Sequence, residues 1–205
     1  IWINMKTLGI TGNIGSGKSS VLEILKNKGI NTYDLDEVAK DYYKYNEDIK
    51  KRVSETFPNV LSENNEIDTN KLGYLVFDDI KKLKMLQNII WPEVENFITK
   101  KIECSENLIV FEGAIIVEAD WHKLLDHIWI VDTNHNLSKI RVEKERNLSE
   151  KKFDNILKKQ LKADQIKEIL VRDKIDFSII NNNSNLKELK KIIEKETEKI
   201  IQKNI

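Results

Sequence analysis

The sequence predicts an α/β protein with three layers, in which helices cover both faces of a five-stranded parallel sheet. Five mainly apolar runs of strand length recur along the chain, and stretches with a helical spacing of apolar residues separate them. A glycine-rich turn also joins the first strand to the first helix. The predicted strands are Lys6–Thr11, Ile30–Tyr33, Leu108–Phe111, Ile128–Asp132 and Phe177–Ile180.

The turn after the first strand has the composition of a phosphate-binding loop. Gly12 to Ser19 form a complete Gly-x-x-x-x-Gly-Lys-Ser pattern, and Val21 to Leu25 continue with helical spacing. In such a turn the backbone N–H groups surround phosphates, the lysine reaches the β- and γ-phosphate oxygens, and the serine hydroxyl can ligate Mg²⁺. A chance loop with a helix-capping serine is the alternative, which the strand and helix context disfavours. The predicted triphosphate-binding residues are Gly12, Asn13, Ile14, Gly15, Ser16, Gly17, Lys18, Ser19 and Ser20.

The interval from about Asp36 to Cys104 contains no convincing strand. Its apolar spacing predicts several amphipathic helices, broken near Pro58, at the polar turn Ser62–Glu66 and at Pro92. A helical block of this length between two strands indicates a subdomain inserted beside the sheet, over residues 36–105.

A second helical block, residues 138–173, is highly charged. Because its apolar content is thin, we expect a mobile lid rather than core. The sheet core is then assigned to residues 5–35, 106–137 and 174–205. The last helix, from about Leu186 to Lys203, begins with Asn185 and Glu188 in the pattern of a capping box. Its apolar face is formed by Leu186, Leu189, Ile192, Ile193, Ile200 and Ile201.

That apolar face has two interpretations. It packs against the sheet, or it forms the seam of a coiled-coil dimer. The first is favoured because the pattern spans too few heptads. The sequence therefore predicts a monomer or a weak homo-oligomer.

Composition excludes several functions. The 34 basic and 34 acidic side chains cancel, so no basic excess predicts nucleic-acid binding. Cys104 is the only cysteine, the three histidines lack metal-ligand spacing, and no apolar run has the length of a membrane span. We expect a cytoplasmic protein, with Met5 as its start and residues 1–4 as an extension.

Carboxylates follow two of the predicted strands. Asp34 and Asp36 come at the end of the second strand, where parallel sheets collect ligands. Either residue could accept a proton from an alcohol or simply cap the next helix; the readings are even for Asp34, and catalysis is favoured for Asp36. Glu112 directly follows the third strand, the layout of an acid that holds Mg²⁺ or its water shell. Glu118 either lines the cleft or is a solvated surface residue.

Arg141 and Arg146 are the only arginines of the charged block. A guanidinium group stabilises a transferring phosphoryl group well, although interleaved acids are equally typical of a solvated helix face. Asn181, Asn182 and Asn183 follow the last strand and could read the edges of a purine base, or form an ordinary turn.

Taken together, these residues resemble the dephospho-coenzyme A kinase family over essentially the whole chain from Met5. The more specific shared features are the Asp-x-Asp pair, Val76-Phe77, Pro92 and Glu118 in order. Further matching residues are Gly9 to Ser19, Val38, Ala39, Leu72, Ala114 to Val117, Arg141, Gln160 and Asp176 to Asn181.

This resemblance implies a kinase fold with a phosphate loop (P-loop), a five-stranded parallel core, a helical acceptor-binding insert and a lid. It implies transfer of the γ-phosphoryl group of ATP to the ribose 3′-hydroxyl of dephospho-coenzyme A, the last step of coenzyme A synthesis. Asp36 would be the general base, and Asn181 would lie by the adenine. With Lys18, Arg141 and Arg146, Asp36 completes the predicted catalytic set; Ser19 and Glu112 are the predicted Mg²⁺ ligands.

The chain departs from the family pattern at several positions. The departures are Trp91 for a usual histidine, Gln87 for asparagine, Gly73 for arginine, Ala114 for proline, and a spacing of five rather than four between Arg141 and Arg146. The first three concern contacts with the acceptor. The changed arginine spacing concerns which arginine takes the catalytic lid position.

Other classes with a phosphate loop fit less well. A GTP-driven switch needs Asn-Lys-x-Asp after a late strand, where this chain has residues 134–137, Asn-His-Asn-Leu. Shikimate-type kinases have paired glycines, and nucleoside monophosphate kinases usually have Asp-Gly-x-Pro-Arg, where this chain has residues 112–114, Glu-Gly-Ala. A purely structural role would not need Lys18, Ser19 and Asp36 together. The alternative that remains is another small-molecule or nucleoside monophosphate kinase with a phosphate loop.

Overall fold

The computed structural model describes residues 6–202, and it confirms the predicted five-stranded parallel sheet. Residues 1–4 and Met5, predicted as an extension and a start, lie outside the described residues. The strands run in the order β2-β3-β1-β4-β5. Their bounds are β1 Thr7–Thr11, β2 Asn31–Asp34, β3 Ile109–Glu112, β4 His127–Asp132 and β5 Asp176–Asn181.

The helices lie mainly within the stretches that the sequence predicts to be helical. Their bounds are α1 Lys18–Lys26, α2 Leu35–Tyr45, α3 Glu47–Thr56, α4 Thr69–Phe77, α5 Ile80–Glu103, α6 His135–Arg146, α7 Glu150–Lys159, α8 Ala163–Arg172 and α9 Leu186–Gln202, with a short 3₁₀ helix over Trp121–Leu124. Within residues 6–202, none of these helices is long and apolar enough to cross a membrane.

The chain divides into two compact units, and the sheet belongs to the unit formed by residues 1–34 and 101–205. Every residue of β1 is buried, because β1 is the central strand and is covered on both faces. The last helix packs on this core through Leu189, Ile193 and Ile200, as the favoured interpretation predicted. Leu186 does not join them, since 56% of it is exposed, and the side chain of Ile201 lies outside the described residues.

The second unit, Leu35–Lys100, consists of helices and connecting turns, and its strand-type pairing is limited to an antiparallel bridge between Leu61 and Ile67. The prediction that Pro92 ends a helix is wrong, because Pro92 lies inside α5. A proline removes the bond to the carbonyl four residues earlier, that of Asn88. Both residues are exposed, so water can satisfy that carbonyl, and the buried side chains of Ile89, Ile90, Val94 and Ile98 anchor the helix on both sides.

Residues 138–173 form most of three helices, α6, α7 and α8. Several of the few apolar side chains of this block converge, although Ile140 and Val171 are exposed. Val142 and Phe153 form a small buried cluster with Ile14 of the phosphate loop, and Leu148, Ile156 and Leu157 pack against it. This small hydrophobic cluster therefore packs residues 138–173 against the phosphate loop. The predicted mobility of the block stays a prediction.

Candidate nucleotide-binding site

The loop after β1 adopts a conformation that its glycines permit. Gly15 and Gly17 have φ angles of 74° and 91°, a left-handed region that other residues avoid. A Cβ atom at Gly15 would also lie 2.6 Å from the carbonyl oxygen of Ser138 on α6. The glycine pattern is thus explained by backbone geometry and by the close approach of α6.

Residues that directly follow β4 and β5 form hydrogen bonds to the backbone of the loop. The Thr133 hydroxyl donates to Ser16 O at 2.9 Å, and Asn182 Nδ2 donates to the same oxygen at 2.8 Å. Thr133 and Asn182 directly follow the two strands, at the sheet edge where parallel sheets bind ligands. Their sequence positions could therefore have identified them as site residues. Asn182 is buried, whereas Asn181, the last residue of β5, is exposed.

Lys18 and Glu112 form a buried pair of opposite charges beside the loop. Lys18 is 9% exposed and Glu112 is 3% exposed, and their Nζ and Oε1 atoms lie 3.9 Å apart. Lys18 Nζ also donates to Asn13 O at 3.4 Å. Asp34 lies opposite Glu112 in the β2–β3 register, so two carboxylates end adjacent strands at the same edge. This edge can hold a cation or a cationic side chain.

A cavity of about 360 Å³ opens over the loop. Arg141 and Arg146 on α6 line it together with Lys18, Ser19 and Ser20, so the predicted lid arginines and the phosphate loop share one space. The remaining lining residues are Gly15, Gly17, Val142, Glu145, Asn182, Ser184, Asn185, Leu186 and Leu189. Asn181 is not among them, and its neighbour Asn182 is.

Two hydrogen bonds hold Arg141 in the lining of this cavity. Its Nη2 donates to Asn182 O at 3.1 Å, and its Nη1 donates to the Thr133 hydroxyl at 3.5 Å. Glu145 lies on the same helix beside Arg146, and sequence reasoning did not single it out. Cationic side chains with several N–H donors at a phosphate loop can stabilise charge on a transferring phosphoryl group.

Glu118 is neither fully buried nor a solvated surface residue. Its Oε1 accepts from the backbone N–H of Leu161 at 3.2 Å. Burial raises the pKa of Glu118 above its ordinary value, and the hydrogen bond from Leu161 opposes this rise. The carboxyl group therefore connects the segment after β3 with the lid.

The remaining predicted residues lie in Leu35–Lys100. Asp36 is exposed in the first turn of α2. Gln87 and Trp91, two departures from the family pattern, are partly buried one turn apart on α5. Gly73 is exposed on α4 and has open space around it.

A parallel sheet, a glycine-rich loop between its central strand and a helix, and arginines facing that loop define the class of P-loop kinases. Comparison with known proteins specifies the family. The family model for CoaE, dephospho-CoA kinase, matches residues 6–188. The chain belongs to the dephospho-CoA kinase family.

Individual relatives are similar over nearly their whole length. The dephospho-CoA kinase of Fusobacterium nucleatum is 32% identical over 97% of this chain and 100% of its own. That of Aquifex aeolicus is 30% identical over 96% of this chain and 98% of its own. A solved structure from Thermus thermophilus superposes with a TM-score of 0.78 at 25% identity, covering 96% of this chain and 98% of that one.

Proposed function

We propose that this protein transfers the γ-phosphoryl group of ATP to the ribose 3′-hydroxyl of dephospho-coenzyme A, giving coenzyme A and ADP. The observation that carries the proposal is that Arg141 and Arg146 line one cavity with Lys18 and Ser19 of the phosphate loop in a chain of this family. Phosphoryl transfer needs little covalent help from a protein, but it needs positive charge and donors fixed around the moving group.

In this mechanism the residues of the loop bind and orient the triphosphate. Backbone N–H groups at the start of α1 and the Lys18 ammonium group neutralise its oxygens. Arg141 and Arg146 approach from α6, stabilise the charge that spreads over the transferring group, and exclude water. Asn181 remains the residue proposed to lie by the adenine, and Asn182 supports the loop beneath it.

The residues present fit Mg²⁺. This ion prefers hard oxygen ligands, and the Ser19 hydroxyl and the buried Glu112 carboxylate offer them at the loop and at the end of β3. These two residues would hold the ion directly or through its water. When bound, Mg²⁺ neutralises phosphate charge and orients the triphosphate.

Asp36 is the proposed general base for the acceptor hydroxyl. It follows the carboxyl end of β2 by two residues, the region where α/β sheets place ligand-binding groups. Its carboxylate is exposed, so an acceptor hydroxyl can reach it from solvent. The enzyme is proposed to act in the cytoplasm as a monomer or weak homo-oligomer, without nucleic-acid or membrane partners.

The decisive experiment is an assay of the purified protein with ATP and Mg²⁺ against an acceptor panel. Dephospho-coenzyme A, shikimate, gluconate and nucleoside monophosphates are each incubated, and mass spectrometry detects an added phosphate. We expect phosphorylation of dephospho-coenzyme A with the largest kcat/KM. Phosphorylation of another acceptor alone would contradict the proposal and support a different small-molecule or nucleoside monophosphate kinase.

Gly73 offers a second test of the acceptor. Gly73 is exposed, and a Cβ atom there would meet no other atom within 4 Å, so α4 can accept the arginine that is usual in the family at this position. If the acceptor is dephospho-coenzyme A, this variant should lower the KM for it and leave the KM for ATP unchanged. An unchanged KM for both substrates would show that position 73 does not contact the acceptor.

A further inference from the structure

Three residues, Gln160, Leu161 and Lys162, join α7 to α8, and the first two of them contact the phosphate loop. Gln160 Oε1 accepts from the backbone N–H of Ile14 at 2.8 Å. The carbonyl oxygen of Leu161 accepts from Asn13 Nδ2 at 2.9 Å. Two bonds from one short lid segment therefore bind two successive residues of the loop.

Glu118 holds this lid segment from the other side. The backbone N–H of Leu161 donates to Glu118 Oε1 at 3.2 Å, so Leu161 is bonded through its N–H to the segment after β3 and through its carbonyl group to the loop. Glu118 Oε2 is buried and has no hydrogen-bond partner among residues 6–202. We call the set of Gln160, Leu161 and Glu118 the loop clamp.

The loop needs such a constraint because glycines flank the clamped residues. Gly12 and Gly15 both have positive φ angles, so the backbone around Asn13 and Ile14 has conformations that other residues would forbid. The carbonyl oxygen of Asn13 also accepts from Lys18 Nζ, so the position of Asn13 affects the lysine that binds phosphate. A loop that is already fixed loses less conformational entropy when the triphosphate binds, so the binding is tighter.

We propose that Gln160 and Glu118 are positioning residues for phosphoryl transfer, which fix Asn13 and Ile14 through the loop clamp and so hold the loop and Lys18 ready for the triphosphate. Neither side chain needs to touch the reacting atoms. This inference rests on the proposed kinase function, but its main consequence, tighter binding of ATP, does not depend on which acceptor is used.

The first test compares two glutamine substitutions in the same segment. Gln160→Leu removes the acceptor of the Ile14 N–H. Gln165→Leu is the matched control, since Gln165 Oε1 accepts from the N–H of Lys162 at 2.9 Å within the lid and contacts no loop residue through that bond. Binding of a non-hydrolysable ATP analogue is measured by calorimetry.

We expect Gln160→Leu to weaken analogue binding by roughly tenfold, the loss that one well-formed hydrogen bond can account for, and Gln165→Leu to change it by less than about twofold. Equal effects of the two substitutions, or none from Gln160→Leu, would overturn the proposal. If analogue binding behaves as expected but dephospho-coenzyme A is not phosphorylated, the proposed acceptor fails and the loop clamp stands.

The second test uses Glu118. Glu118→Gln retains an oxygen that can accept from Leu161, whereas Glu118→Leu does not. We expect Glu118→Gln to keep analogue affinity and kcat within about threefold, and Glu118→Leu to lose roughly tenfold in affinity. Because both clamp residues act through one segment, the double variant Gln160→Leu/Glu118→Leu should lose less than the product of the single losses. Fully multiplicative losses, or equal losses in both Glu118 variants, would contradict a shared clamp.

Discussion

Arg141 donates to the backbone carbonyl of Asn182 at 3.1 Å, which joins the lid helix α6 to the residue after β5 in the lining of the cavity over the phosphate loop. The guanidinium group is thereby oriented before any substrate is present. An arginine that is held by a neutral carbonyl can still offer its other N–H groups to phosphate oxygens, because the guanidinium carries five donors. This orientation makes Arg141 the first lid residue to test.

Arg141→Ala should lower kcat by about 10²-fold, since it removes preorganised positive charge from the site of charge development. Lys144→Ala is the control, because Lys144 is an exposed cation on the same helix outside the cavity lining. Steady-state kinetics with saturating substrates measure the difference. Equal kcat values for the two variants would remove Arg141 from the mechanism, and parallel measurements on Arg146→Ala decide which arginine matters more.

Asp36→Asn should leave ATP affinity nearly intact and depress turnover by about 10²-fold or more, the range typical of a lost general base. Glu37→Gln is the matched control, since Glu37 is also exposed in the first turn of α2. Analogue calorimetry and single-turnover kinetics separate binding from chemistry. Unchanged turnover in Asp36→Asn would exclude a catalytic role for this carboxylate.

Lys18→Met should weaken triphosphate binding, lower turnover and reduce stability. The stability loss arises because the carboxylate of Glu112 stays buried at 3% exposure without its cation, and breaking such pairs costs about 3 kcal/mol. Urea unfolding of Lys18→Met and of Lys18→Met/Glu112→Gln measures this effect. Compared with Lys18→Met, the double variant should recover much of the free energy of unfolding without recovering activity. If it recovers none, the unpaired Glu112 carboxylate is not the cause of the stability loss.

Stability should depend on pH through Asp173. The Arg172 guanidinium, and after it His122, hold the pKa of Asp173 below its ordinary value of 3.8. Because the unfolded chain then binds this proton more readily, the stabilisation is present above pH 3.8 and is lost as the pH falls below that value. Asp173→Asn should therefore be less stable than the wild type near neutral pH, and the gap should narrow in acid.

Urea unfolding between pH 3 and pH 7 tests the role of Asp173. Asp164→Asn is a control, because Asp164 forms an exposed pair with Lys167 on α8, and such pairs add little stability. A gap between Asp173→Asn and the wild type that stays constant over this range would show that the ionised form of Asp173 does not stabilise the fold.

Most of the fold followed from the sequence because both faces of a parallel sheet are buried. Such strands are nearly continuous apolar runs, which stand out against a charged chain. The prediction that a helix breaks at Pro92 was wrong. The effect of a proline inside a helix depends on whether the carbonyl group that loses its hydrogen bond is exposed to water, and sequence periodicity does not show this. The small cluster of Val142 and Phe153 with Ile14 was not predicted either, because the apolar content of the lid segment is thin and its contacts with the loop form only on folding.

The site could be predicted where residues are close in sequence and not where they meet by folding. The loop from Gly12 to Ser19 is contiguous, so its pattern alone marked it. Gln160 meets Ile14 across 146 positions, and nothing local about a glutamine after a charged helix indicates that contact. Side chains alternate between the two faces at the end of a strand, so only one of the neighbours Asn181 and Asn182 is buried against the loop. The sequence could not show which one, because it does not fix the strand boundary to within one residue.

The position of β1 at the centre of the sheet has a consequence for how the molecule is made. β1 pairs with β3 and β4, and its nearest partner, β3, begins about a hundred residues later in the chain. During synthesis β1 cannot enter the sheet until residues 109–112 have been made, because both of its partner strands come later in the chain. Pairing across so long a loop also slows folding. The helical residues 35–100 are complete by then, and contacts within that segment can form first.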